Sequence, residues 1–577
     1  MARSILLLGC SAMLLTSAAA PPLPDPVQRH RDSGSPVKCR QFAQEDARRP
    51  QPVGMPAPRI APPAPPPMPT PPPVPTLHAP PGVVASPSIA VTGQRVGGPV
   101  APAKYGAPGN TERYDGKEVA SIQSVADAPV STFSIDVDTG SYSNVRRFLN
   151  GGDLPPPEAV RTEEMINYFR YDYPVPRSTA EPFSVTTDVT TTPWNPDTRL
   201  MRVGLRGYDT MAKGRPPANL VFLIDVSGSM SSYDKLPLVK HALTRLADQL
   251  GPRDRVSIVV YAGASGVVLE PTYKKEYVKA ALSCLEAGGS TAGADGIELA
   301  YSLARKNYVK GGINRIFLAT DGDFNVGVSD NKALEELVKR QRASGITLTT
   351  LGFGEGNYNE AMMERIADVG NGNYAYIDSA MEAEKVLDDE LSATLYTIAK
   401  DVKVQVEFNP AYVNQYRLIG YENRALAEED FTNDTVDAGD MGAGHQVTAI
   451  YEIVPAGTRG WLPDRRYQAN RPRPGGAPSG EMAFVKLRYK LPGEQRSREM
   501  ARPVPAIAIP NASAPRGDAA FAVAVAAFGQ KLRGDKYLNG YGWAQIRSLA
   551  GSPRGYWRNE FVKLVGMAEK HTPAAPQ

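Results

Sequence analysis

The chain has 577 residues, room for about three to five domains, and its 42% hydrophobic and 22% charged residues fit soluble globular material. Of its 53 prolines, 24 fall between Pro21 and Tyr105, a stretch that also carries nine Lys or Arg against four Asp or Glu; the formal charge of +3 therefore comes from one irregular segment, residues 106–577 sum to −3, and no basic domain suited to nucleic acid remains. Five histidines and three cysteines are too few for a disulfide scaffold and argue against zinc, haem or iron–sulfur chemistry.

Residues 1–20, MARSILLLGCSAMLLTSAAA, have the basic start, apolar run and small-residue end of an export signal. Leu8-Gly9-Cys10 resembles the lipobox of bacterial lipoproteins, whereas Ser17-Ala18-Ala19 resembles an ordinary cleavage site. Under both readings the mature protein is expected outside the cytoplasm, in the periplasm or cell envelope, with membrane attachment only through a lipid at Cys10. The next most apolar run, Ala519–Phe528, is half the length that a transmembrane helix needs. Residues 21–110 are too proline-rich and too poor in aromatics to bury a core, so they read as a disordered tether in which Cys39 is unpaired.

Residues 111–213 read as a small α+β unit, with strands at Thr132–Val137, Phe183–Thr191 and Leu200–Leu205 and a helical stretch at Glu158–Phe169. From 217 to 400 apolar strand-like runs alternate with amphipathic helical patterns. Strands are expected at Leu220–Asp225, Val256–Tyr261, Gly266–Glu270, Ile313–Thr320, Ile346–Phe353 and Asn373–Ile377, and a last helix near Ala380–Ala399. Such alternation predicts an α/β fold with a doubly wound, mostly parallel sheet, the short Gly266–Glu270 run being an antiparallel edge. Residues 401–577 read as an antiparallel β unit followed by helices, with Asp518 placed to cap an alanine-rich one.

The chemistry concentrates at two strand ends. Val221-Phe-Leu-Ile-Asp225-Val-Ser227-Gly-Ser229 ends a buried strand in a carboxylate and two alternate hydroxyls, and Ile316-Phe-Leu-Ala-Thr320-Asp321-Gly322 ends another in a carboxylate. Ligands of doubly wound sheets collect beyond the carboxyl ends of the strands, where the strand order reverses. Should these two strands flank that point, Asp225 and Asp321 face each other, and the loop Gly288-Gly-Ser-Thr291 can add a third hydroxyl. An all-oxygen set of this kind suits a hard divalent cation such as Mg2+. A tight turn after a strand also favours Asp, Ser and Gly, but it does not account for three elements in this order.

Residues 217–400 resemble a von Willebrand factor A domain, whose metal-ion-dependent adhesion site has the pattern Asp-x-Ser-x-Ser with a distant Thr and a distant Asp. Asp225, Ser227, Ser229, Thr291 and Asp321 fill the five places. The resemblance implies direct ligation by the serines, ligation by Thr291 directly or through water, aspartates acting largely through water, and an open position for an acidic group of a partner. It implies Mg2+, with Mn2+ or Ca2+ as alternatives. Phe133-Ser-Ile-Asp-Val-Asp138-Thr-Gly-Ser-Tyr142, Glu163-Glu-Met-Ile-Asn-Tyr-Phe169 and Ile419-Gly-Tyr-Glu-Asn-Arg-Ala425 extend the likeness to exported bacterial proteins in which the A domain sits between its own companion domains.

Other signals carry less. Asp138-Thr139-Gly140 lacks the second copy that an aspartic protease needs and reads as a polar turn. Gly352-Phe-Gly354-Glu-Gly356 has the wrong spacing for a dinucleotide turn, and His241 is not expected to be a ligand. The expectation is a non-enzymatic, metal-dependent protein-binding module of the cell envelope whose partner presents an Asp or Glu carboxylate. The alternatives are a metal-dependent hydrolase and a structural envelope scaffold with an idle metal site.

Overall fold

A computed structural model describes Val37 and residues 112–135, 138–178, 180–209, 216–289, 293–322, 331–389, 396–463 and 480–573. The export signal and the tether, Val37 apart, lie outside the described residues, as does Thr291.

Four strands precede the α/β domain: β1 Gln123–Ser124, β2 Val130–Ser134, β3 Phe183–Thr192 and β4 Asn195–Gly207. The domain then supplies β5 Ala218–Asp225, β6 Arg255–Tyr261, β7 Ser265–Thr272, β8 Ile313–Thr320, β9 Thr347–Phe353 and β10 Tyr374–Ile377. They form one sheet in the order β10-β9-β8-β5-β6-β7, parallel except for β7, the expected antiparallel edge. Every residue of β5 is buried, because helices cover both faces of the sheet. Leu220, Phe222 and Ile224 pack on one side with Val239, Leu243 and Leu246 of the helix Leu236–Gln249. Val221 and Leu223, one register step away, pack on the other with Ile297 and Tyr301 of Gly293–Lys306 and Val338 of Asn331–Arg342. The strand order reverses at β5 and β8, and the crevice beyond their ends is the topological switch point.

After β10 the chain continues as β11 Thr397–Phe408, β12 Val413–Leu418, β13 Ala425–Leu426, β14 Met441–Gly442, β15 Gln446–Pro455, β16 Glu481–Lys490 and β17 Arg498–Pro505. The two companion regions, read from sequence as an N-terminal and a C-terminal unit, fold as one body. One sheet runs β1-β12-β15-β4-β3 and the other β13-β2-β11-β16-β17, with β14 on β11. Each mixes strands from before and after the α/β domain. The two sheets share a core that includes Phe133, Val203, Leu205, Val404, Val406, Tyr451 and Val485. A helical layer lies on Leu200 and Ile450, built from Gly140–Gly151, Thr162–Asn167, Gly517–Leu532, Trp543–Ala550 and Tyr556–His571. The α/β domain is thus an insertion between β4 and β11 of a β-sandwich. Among the described residues no helix is long and apolar enough to cross a membrane.

Buried ion pairs fasten the insertion to its host. Arg161 meets Glu164 at 3.0 Å and also Glu364 at 2.5 Å, while Arg424 bonds Asp138 at 2.9 Å and Glu364 at 2.8 Å. Arg146 joins Asp378 and Glu382 of the α/β domain to Glu560 of the last helix.

Several expectations are corrected. The polar turn at Asp138–Ser141 leads into a twelve-residue helix beginning at Gly140. Of the helix expected over Ala380–Ala399, Ala380–Asp389 is helical, residues 390–395 lie outside the described residues, and Thr397–Ala399 already belong to β11. Asp518 lies inside the first turn of its helix, not at the cap, where its carboxylate accepts from the Asp172 amide and Arg558. Cys284 is disulfide-bonded, which the sequence reading did not foresee; Cys10 and Cys39 lie outside the described residues, and Val37 pairs with Leu269 on β7.

Candidate metal centre

Strands β5 and β8 run parallel and in register, Ile224 opposite Ala319, so Asp225 and Thr320 come next at the strand ends and Asp321 follows one residue further along the same edge. Both aspartates are fully buried. Beyond Asp225 the chain leaves β5 through Val226, whose amide bonds the Tyr261 carbonyl at the end of β6, and turns into a single 3-10 turn, Gly228–Ser231. That turn presents the Ser229 hydroxyl 3.1 Å from the Ser227 hydroxyl. Ser227 is buried, whereas Gly228 and Ser229 are exposed, so the hydroxyl pair forms the mouth of the crevice and the aspartates its floor.

The floor is held from inside the protein. The Ser227 amide donates to Asp225 Oδ1 at 2.9 Å, and the Thr320 hydroxyl donates to Asp225 Oδ2 at 2.9 Å. Burial pushes the Asp225 carboxyl up to about 6, with the Asp321 charge adding to the rise and the bonds from Ser227 and Thr320 opposing it. Asp321 Oδ2 accepts from Lys235 Nζ at 3.0 Å and from the Asn357 amide at 3.2 Å. Gly322 follows with φ +83°, and a Cβ there would come 2.8 Å from the Asn359 nitrogen. Glycine is therefore required where the chain turns away from Asp321.

Of the five residues read from the sequence, the structure brings Asp225, Ser227, Ser229 and Asp321 to one place, and Thr291 lies outside the described residues. The backbone just before it does reach the crevice, with the Gly228 amide on the Gly289 carbonyl and the Gly288 amide on the Val226 carbonyl. Two buried carboxylates beside paired hydroxyls fit a hard divalent cation: they supply negative charge and oxygen donors without nitrogen or sulfur. Sequence reasoning missed Thr320, Lys235 and Asn357. Thr320 precedes Asp321 and its position at the strand end was available as a signal; Lys235 and Asn357 reach the site only through the fold. His241 is exposed on its helix.

A second acidic cluster lies elsewhere. Asp138, Glu164 and Glu364 offer oxygens within 4.8 Å of one another. Arg161 and Arg424 already hold these carboxylates, and the Ser141 and Tyr374 amides donate to Glu164 and Asp138, so the cluster is an ion-pair seam.

The model of the von Willebrand factor type A domain matches residues 219–389, one described as von Willebrand factor matches 108–202, and one described as the C-terminal part of Uncharacterized protein YfbK matches 393–571. Uncharacterized protein YfbK of Escherichia coli is 48% identical over 473 residues, which cover 80% of this chain and 81% of that protein. Uncharacterized protein sll0103 of Synechocystis is 33% identical over 187 residues, 32% of this chain and 43% of that protein. Among solved structures, von Willebrand factor type A from Catenulispora acidiphila aligns at a TM-score of 0.35 and 15% identity, covering 66% of this chain and 88% of that one. The domain type is that of a protein-interaction module, and such domains often bind a divalent metal.

Proposed function

The chain belongs to the YfbK family of von Willebrand factor A proteins, and on that premise we propose that its α/β domain is a metal-dependent protein-binding module, working outside the cytoplasm, which engages an Asp or Glu carboxylate of a partner protein. The observation that carries the reading is the buried pair Asp225 and Asp321 beside the paired hydroxyls of the buried Ser227 and the exposed Ser229. Asp225, Ser227, Ser229 and Asp321, with Thr291, would hold Mg2+, or Mn2+ or Ca2+ in its place. When bound, the ion would supply an electrophilic position to which an anionic oxygen can bind.

The chain's own residues prepare that position. Thr320, Lys235 and Asn357 hold the two carboxylates, so both groups are oriented before any ligand arrives. Four residues past Ser229 in the chain, Tyr233 is 86% exposed, an aromatic of the type that anchors protein interfaces. Binding is favoured over hydrolysis because the carboxylates at the floor are already engaged in holding the site, which leaves none assigned to activate water.

Calorimetric titration with MgCl2 or MnCl2 tests the site. The Ser227→Ala/Ser229→Ala double variant should lose at least a hundredfold in affinity, about 2.7 kcal/mol, while its unfolding midpoint in chelator stays close to that of the wild type. Unchanged affinity would remove the assignment. Capture of a partner from envelope extracts should depend on Mg2+ or Mn2+ and stop with chelator.

A further inference from the structure

Lys235 is the residue at this site that a simple adhesion motif does not explain. It stands at the N-cap of the helix Leu236–Gln249, and it is only 6% exposed. Its side chain lies along Gly354, where an added Cβ would come 2.3 Å from Lys235 Cε; Gly354 also has φ +77°, a conformation that favours glycine. The backbone thus opens a slot for the lysine stem. The ammonium at its end donates to Asp321 Oδ2 at 3.0 Å and to Asn357 Oδ1 at 2.8 Å, and the Asn357 amide returns a bond to the same Asp321 oxygen. Burying an ammonium is costly unless it is paired, so the fold has placed a fixed positive charge against a carboxylate of the candidate metal site.

The charge count gives this placement its meaning. Asp225 and Asp321 with Lys235 leave the buried site at −1, so a divalent cation brings it to +1, and one carboxylate from outside returns it to zero. Without the lysine charge the loaded site is already neutral, and the same carboxylate would leave it at −1. Resting on the metal-dependent reading above, we propose that Lys235 is a specificity-determining residue of the site: it weakens the binding of a divalent cation alone and makes tight binding depend on an anionic ligand bound with it. The site then distinguishes an occupied partner from a stray ion.

The experiment uses the full chain and Mn2+ as the probe, with calorimetry in chloride and in acetate. The wild type should bind Mn2+ weakly in chloride and several-fold tighter in acetate. Lys235→Met, which keeps the stem and removes the charge, should bind Mn2+ about tenfold tighter in chloride and lose most of the acetate enhancement. Lys235→Arg should retain both wild-type behaviours, and Lys235→Gln gives the same reading as Lys235→Met should the latter fail to fold. Equal or weaker Mn2+ binding by the neutral variants in chloride, or an acetate enhancement as large as that of the wild type, overturns the inference. Mn2+ binding by the wild type that survives Ser227→Ala/Ser229→Ala places the ion elsewhere, and no binding at all sinks the metal reading and this inference with it.

Discussion

Two regions of this molecule gather buried carboxylates, and they differ in how the charge is answered. At the seam between the α/β domain and the sandwich, Asp138, Glu164, Glu360 and Glu364 meet two guanidinium groups, Arg161 and Arg424. At the crevice, Asp225 and Asp321 lie beside the hydroxyls of the buried Ser227 and the exposed Ser229, and one ammonium pairs with Asp321. The six charged groups of the seam are all buried. The crevice keeps one side open, where Ser229 is exposed. A cluster of acids becomes a candidate site where it lies beneath an open mouth, and a fastening where guanidinium groups bind it across two regions of the chain.

That contrast breaks first at the seam. Arg161→Met removes a charge shared by three buried glutamates, and leaving buried charges without their partner typically costs about 3–5 kcal/mol, so the urea midpoint should fall sharply. The Ser227→Ala/Ser229→Ala variant should barely move the same midpoint. Equal destabilisation by the two would erase the distinction between fastening and site.

A smaller effect sharpens it through pH. Burial pushes Glu360 up to about 8, with Arg161 opposing and the neighbouring Glu164 and Glu364 adding to the rise. A carboxyl whose folded-state value is raised holds a proton that the unfolded chain releases. Its contribution to stability is therefore present below about 4.5 and is lost as pH rises through about 8. Unfolding measured from pH 6 to pH 9 should show declining stability, and Glu360→Gln should flatten that decline. A slope unchanged by Glu360→Gln would mean that the proton sits elsewhere in the seam.

The smallest effect belongs to the crevice. With Asp225 pushed up to about 6, protons compete with a cation for its carboxylate below that pH. Apparent Mg2+ affinity should be nearly flat above pH 7 and fall by up to about tenfold per unit below 6. Titrations at pH 5 and pH 7.5 would read this difference, and pH-independent affinity would show that Asp225 is not linked to the ion.

What the sequence could disclose followed from how local each feature is. Strand β5 is legible because a parallel strand covered on both faces must be apolar throughout, and Asp225, Ser227 and Ser229 are legible because they lie within five residues of one strand end. The companion regions were not legible as one body, since β2 pairs with β11 in a register joining Thr132 to Gln405, a partnership no local pattern encodes. Strand β17 was missed because it is an exposed edge containing Pro503 and Pro505, residues that speak against a strand in any window but are tolerated at an edge. Arg161, Arg424 and Lys235 are ordinary surface residues by composition, and only the fold buries them. The strings that carried the family likeness do contain Asp138, Glu164 and Arg424, so part of the seam was in view without its purpose.

The insertion between β4 and β11 has a consequence for how the chain is made. Strand β2 has its neighbours in β11 and β13, so during synthesis it waits for roughly 270 further residues before it can be paired. The β3–β4 ribbon and the α/β domain each consist of contacts within their own stretch and can form meanwhile. The sandwich can be completed only once β11 and the strands after it have been made. A fault in the inserted domain therefore leaves the unpaired edge of β2 available to other chains, and truncations ending before Phe408 should aggregate rather than remain as stable fragments.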